Sequence, residues 1–176
     1  MTIKSFQDID PSIADSAYVD ETALVVGDVS IGEDSSIWPM TVVRGDVNKI
    51  TIGSSTNIQD GSVLHVTHPH QKHPDGFALH VGNNVTVGHK VILHGCVIED
   101  NCLIGMGSTI MDGAVVHSHV LVGAGSLVAP DKELESGYLY LGSPVKKLRR
   151  LSDEEYAWID YSAVHYKKLK NRYMNE

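Results

Sequence analysis

The chain has 176 residues, 42% of them hydrophobic, which suits one domain with a buried core and excludes a disordered polymer. Its formal net charge is −8, so no basic field exists to attract nucleic acid, and no apolar run approaches the ~18 residues that span a membrane. The first ten residues lack the apolar core of a signal peptide, and the two cysteines, Cys96 and Cys102, do not suggest a disulfide framework, so a cytoplasmic location is expected.

From the N-terminus, a branched apolar residue recurs every six positions: Ile13, Val19, Val25, Ile31, Ile37 and Val43. After a three-residue slip the beat returns at Ile52, Ile58 and Leu64, and after a longer interruption at Val81, Val87 and Leu93. One hexad is then a residue short, and the phase runs on through Ile98, Ile104, Ile110, Val116 and Val122. The fifth position of each hexad is small or β-branched, as at Ala23, Ser35, Val47, Thr56, Val97 and Cys102, and is expected to point inward at a tight corner. Six residues make a short strand and a turn. Three hexads make one triangular coil, and successive coils stack about 4.8 Å apart. Each coil buries its interior against its neighbours, which is the logic of a solenoid. The expected fold is an all-β solenoid, a parallel β-helix of hexapeptide repeats over residues 1–130.

Residues 66–80 break the phase and read as an excursion loop. Residues 131–151 read as a connecting segment, with Gly142 and Pro144 as turn residues and Lys146, Lys147, Arg149 and Arg150 as solvated charges. From Ser152 the pattern becomes helical: Ser152 and Glu155 form a capping box, and Tyr156, Ile159, Ala163, Tyr166, Leu169 and Tyr173 follow at helical spacing. A C-terminal α-helix over 152–174, packed alongside the solenoid, is expected.

The coil register organises the histidines. His65 and His94 are each the second residue of hexads one full coil apart, so they should lie one above the other, facing outward, in a column with Arg44. His89 is the third residue of the hexad at Val87, on the preceding face, one coil above Gln59 and Asp60. Three ligands are hard to assemble within one subunit. A threefold packing of solenoids brings the His89 face of one copy against the His65/His94 face of the next and yields three equivalent sites. Zinc suits three neutral imidazoles, which bind it at ~2.0–2.1 Å and leave a position for water. Iron is the alternative, since ligand type does not separate the two strongly.

The stretches Val43-Arg44-Gly45-Asp46-Val47, Asn57-Ile58-Gln59-Asp60-Gly61, Leu64-His65, Gly88-His89 through His94-Gly95, and Leu141-Gly142-Ser143-Pro144, in this order, resemble the gamma-class carbonic anhydrases of the hexapeptide-repeat superfamily. The resemblance covers nearly the whole chain. It implies a left-handed coil, a homotrimer, and a metal held by His65, His89 and His94, with His89 from the adjacent subunit. It implies that Arg44 and Asp46 form ion pairs near the site with Asp60 close by, that Gln59 orients metal-bound water or bicarbonate beside Asn57, and that Tyr161 reaches the site from the C-terminal helix. The activity implied is reversible hydration of carbon dioxide by metal-bound hydroxide at the subunit interfaces. Well-characterised enzymes of this class carry glutamates for proton export. Here Val47 follows Asp46, and the loop after His65 has Asp75 as its sole carboxylate, which predicts slow or absent turnover unless His68, His70 or His73 carries the proton. Two further activities fit such a solenoid: an acyltransferase using acyl-CoA, to which the His65–His94 pair is surplus, and a metal-dependent thioesterase-like hydrolase.

Overall fold

The computed structural model describes residues 2–175; Met1 and Glu176 lie outside the described residues. Every leading hexad residue from Val25 to Val122 is buried, and Ile13 and Val19 pack against the same core at its N-terminal end. Strands pair in parallel with the strand three hexads on: Ile58 faces Val87, Val87 faces Ile104, and Ile104 faces Val122. An eight-stranded sheet forms one face of the prism and a 12-stranded sheet the rest. The long strand Val42–Ile52 links the latter round a corner, pairing with both Val63–His65 and Leu79–Val81.

Two inward positions differ from the fifth-place count. Val47 is exposed and Val97 half-buried, while Ile50 and Cys96 point into the core. Both differences fall where a hexad is not six residues long. Side chains alternate along a strand, so the inward neighbour of a leading residue is the one two positions before it, whatever the length of the preceding turn. Burial drives both core thiols up, that of Cys102 to about 12.

The beat also runs on beyond Val122. Leu127–Val128, Glu133–Leu134 and Tyr138–Gly142 add further rungs, and Val145–Arg150 then runs back antiparallel on the last of them. Residues 131–151 are therefore rungs and a returning strand. The excursion is narrower than 66–80, because Val66 is buried and Leu79–Val81 is a strand. Between them, Thr67 faces Phe77 and His70 faces His73 in antiparallel bridges, making a small hairpin flap. Asn48 ties the flap down by donating to the carbonyls of Thr67 (3.1 Å) and Asp75 (2.9 Å).

The C-terminal helix spans Asp153–Tyr173 and opens on a complete capping box between Ser152 and Glu155. Arg149 grips Glu155 with two hydrogen bonds (2.7 and 2.8 Å) and lowers its carboxyl to about 2. The helix lays Ile159, Ser162 and Ala163 against the eight-stranded face at Ser36–Ile37, Asn57–Ile58 and Thr86–Val87. Lys170 is buried at its far end, donating to the Ser16 carbonyl (2.5 Å) and pairing with Asp34 (3.1 Å). Among the described residues no helix is long and apolar enough to cross a membrane.

Candidate metal centre

His65 ends the strand Val63–His65 and His94 ends Ile92–His94; the two strands are in register, so the imidazoles stack on neighbouring rungs. His65 Nδ1 lies 3.1 Å from His94 Nε2. Each ring is braced on its other nitrogen by a carboxylate: His65 Nε2 is 3.1 Å from Asp46, and His94 Nδ1 is 2.6 Å from Asp112. Asp112 is held in turn by the Thr67 hydroxyl at 2.8 Å, which links the base of the flap to the site.

The slip in the repeat delivers Asp46. Gly27 faces Gly45 but Val29 faces Ile50, so the strand that follows carries extra residues at the corner and bulges outward there. The bulge carries Asp46 to His65 and to Arg44, which forms a tight ion pair with it. Burial works to raise the Asp46 carboxyl, but hydrogen bonds from Arg44 and His65 outweigh it and hold the group below the ordinary carboxylate range. Burial lowers His65 from its ordinary value, which favours the neutral ring that ligates metals.

His89 follows the strand Thr86–Val87 on the eight-stranded face, with Nδ1 2.9 Å from Asp60 one coil below. It is not brought to His65 and His94 within this chain. Among the described residues, no three His, Cys, Asp or Glu side chains of one chain gather into a metal site. Gln59 and Asn57 lie beside His89, both buried, with Gln59 Nε2 donating to Asn57 Oδ1 at 3.0 Å. A cavity of about 310 Å³ opens here, its lining including Gln59, Thr86, His89, Trp158, Ser162 and Tyr166. Tyr161 lies outside it, exposed on the outer side of the helix and stacked on Trp158 (5.3 Å) and His165 (5.7 Å). Tyr166 is the tyrosine that faces the cavity. The apolar spacing of Ile159, Ala163 and Tyr166 carries that signal in the sequence, and Tyr161 is off that stripe.

The donor set fits a divalent metal. Each of the three histidines has one ring nitrogen on an aspartate and presents the other; in histidine metal sites such a carboxylate behind the ring fixes its tautomer and orientation. One chain supplies two such nitrogens side by side and the third on another face.

The family model described as bacterial transferase hexapeptide (six repeats) matches residues 79–110 and 95–130. The chain is 56% identical over 174 residues to protein YrdA of Escherichia coli (strain K12), covering 99% of this chain and 95% of that one. It is 44% identical over 178 residues to gamma carbonic anhydrase 1, mitochondrial, of Arabidopsis thaliana, covering 99% of this chain and 63% of that protein. It is 46% identical over 157 residues to a probable carbonic anhydrase of Methanocaldococcus jannaschii, covering 89% and 94%. Repeat, solenoid and end-to-end similarity agree: the chain belongs to the gamma carbonic anhydrase-like family of left-handed, hexapeptide-repeat β-helices.

Proposed function

We propose that the protein is a metal-dependent carbonic anhydrase-like enzyme that interconverts carbon dioxide and bicarbonate, working as a homotrimer in which His89 of one copy completes the His65/His94 site of the next. The observation that carries this reading is the bracing of His65, His89 and His94 by Asp46, Asp60 and Asp112 respectively, with one nitrogen of each ring left for a metal. Zinc is the proposed ion, with iron as the alternative. Such an ion supplies Lewis acidity that brings the ionisation of water into the neutral range. Asp46, Asp60 and Asp112 hold the rings in place. Gln59, on Asn57, turns a polar group toward the reacting molecule, and Arg44, paired with Asp46, helps hold neighbouring copies together near the site. Tyr161 is kept as a contributor only through a neighbouring copy, since within one chain Tyr166 faces the cavity. A reducing cytoplasm suits the buried, unpaired Cys96 and Cys102.

Turnover is expected to be slow. Each aspartate at the site is already engaged by a ring nitrogen, and Asp46 also by Arg44, so none is free to export protons. The flap histidines are the remaining carriers: His68 lines a cavity with Asp46, and the rings of His68, His70 and His73 follow at 5.8 and 5.3 Å.

The test is to purify the protein anaerobically, quantify zinc and iron per subunit, determine the oligomeric state, and measure carbon dioxide hydration on the same sample. A metal-free monomer would sink the reading. A metal-loaded trimer that hydrolyses acyl thioesters and leaves carbon dioxide untouched would favour the hydrolase. An acyl-CoA transferase reading draws on the name of the matching repeat model, but it leaves the carboxylate-braced histidine pair without a task.

A further inference from the structure

We propose that Thr86 and Ser162 are positioning residues for Gln59, wiring the C-terminal helix into the site through an unbroken chain of buried hydrogen bonds. The inference rests on the reading of Gln59 as a group that faces the reacting molecule.

Ser162 Oγ on the helix lies 2.9 Å from Thr86 Oγ1 on the solenoid. Asn57 Nδ2 donates to Thr86 Oγ1 (3.0 Å) and to the Val85 carbonyl (3.4 Å). Gln59 Nε2 donates to Asn57 Oδ1 (3.0 Å). The four side chains are only 9%, 4%, 1% and 6% exposed for Ser162, Thr86, Asn57 and Gln59. Buried polar groups in such a chain polarise and orient one another, and reversing one link leaves like groups facing each other.

The sense of both amides follows. The Val85 carbonyl, which also takes the Asn57 backbone N–H at 2.9 Å, can only accept and would repel an amide oxygen, which favours the Asn57 NH₂ toward it and the oxygen toward Gln59. Gln59 must then offer its own NH₂ to Asn57, which leaves Oε1 as an acceptor at the cavity it shares with His89. An acceptor there takes a hydrogen bond from an O–H, as water or bicarbonate provides. Thr86, already accepting from Asn57, needs a second partner for its hydroxyl, and the helix brings Ser162 to that spot from among Ile159, Ala163 and Tyr166. A helix that needed only to pack would place an alanine there, at better helix propensity.

The test compares Ser162→Ala, Ser162→Thr and Thr86→Val with the unaltered protein by two readouts. The first is the side-chain NH₂ signal of Gln59 in ¹⁵N NMR, with Gln7 and Gln71 as internal references. Loss of either hydroxyl should move the Gln59 signal and speed its hydrogen exchange up to about tenfold, the net worth of one hydrogen bond. Ser162→Thr should leave it in place. The second is carbon dioxide hydration with metal content quantified: Ser162→Ala and Thr86→Val should lower kcat about tenfold with metal content and KM within about twofold, and Ser162→Thr should restore it. An unaltered protein that is inert toward carbon dioxide removes the functional reading and leaves the NMR signal to decide the positioning. A Gln59 signal unmoved in Ser162→Ala overturns the proposal whatever the activity. So does a full kcat in a variant whose Gln59 signal has moved.

Discussion

His65 and His94 end adjacent, in-register strands, with Nδ1 of the first 3.1 Å from Nε2 of the second and an aspartate behind each ring. Two facing ring nitrogens with no acidic group between them satisfy one another only if one carries the proton. A cation bound to both removes that constraint.

The third nitrogen is expected from a neighbouring copy. His89→Ala should lose most of its bound metal while its far-UV circular dichroism is unchanged, because the half-exposed ring takes no part in the core. Compared metal-free, its thermal midpoint should lie within about 4 °C of the parent, the equivalent of roughly 1 kcal/mol for a chain of this size. Full metal retention would remove His89 from the ligand set.

The aspartates behind the rings should matter nearly as much as the rings. Asp112→Asn keeps the shape but withdraws the charge facing His94 Nδ1. Metal affinity measured by chelator competition should weaken about 10- to 100-fold. Asp75→Asn, on the flap, serves as the control and should not change it.

A fourth carboxylate–histidine contact lies on a different face and makes a pH prediction. His117 Nδ1 sits 3.0 Å from Glu99, and that hydrogen bond, helped by the charge of Glu133, raises the ring above its ordinary 6.5. The same bond, with those from Ser118, lowers Glu99 below its ordinary 4.5. A raised histidine adds stability that is fully present below 6.5 and fades as the pH climbs through the higher folded value; the lowered glutamate adds stability that fades as the pH falls through its own folded value. Relative to His117→Gln, the parent should be more stable at pH 6, and the difference should shrink by pH 8. Urea titrations at both values check it, and a difference that grows with pH would contradict it.

Two glycines on one turn should respond unequally to alanine. A Cβ on Gly105 would lie 2.4 Å from the Ala124 nitrogen, backbone of the next coil that cannot yield, so Gly105→Ala should cost about 3 kcal/mol. Gly107 has a φ of +69° but nothing within 4 Å of the added atom, so Gly107→Ala should cost only about 1 kcal/mol for the left-handed backbone. Equal losses in urea unfolding would contradict the packing argument.

Much of this molecule is legible because one rule, alternation along a strand, repeats. It places Leu64 and Leu93 inside and therefore His65 and His94 side by side. Counting forward through irregular hexads fails at Val47 and Val97, whereas counting back from the next leading residue finds Ile50 and Cys96. The beat at Val128, Leu134 and Tyr140 was equally open to reading and extends the coil. Asp112 was harder to see. It lies diagonally above His94, and it reaches the ring only because Gly95 has no side chain: a Cβ there would meet Asp112 Oδ1 at 2.4 Å. Such a diagonal contact is invisible to a count of vertical columns. The tyrosine facing the cavity depends on helix rotation, which the stripe of Ile159, Ala163 and Tyr166 sets and Tyr161 does not share.

The strand Val145–Arg150, running against the direction of every rung before it, governs how copies of the molecule meet end to end. A parallel ladder left open offers its final row of donors and acceptors to any strand of matching direction, and stacked copies could then grow into a fibre. Here that row is occupied by a reversed strand; Lys147 and Arg149 on it are paired with Glu135 and Glu155, so the charge that would confront a copy trying to add on is that of Lys146 and Arg150.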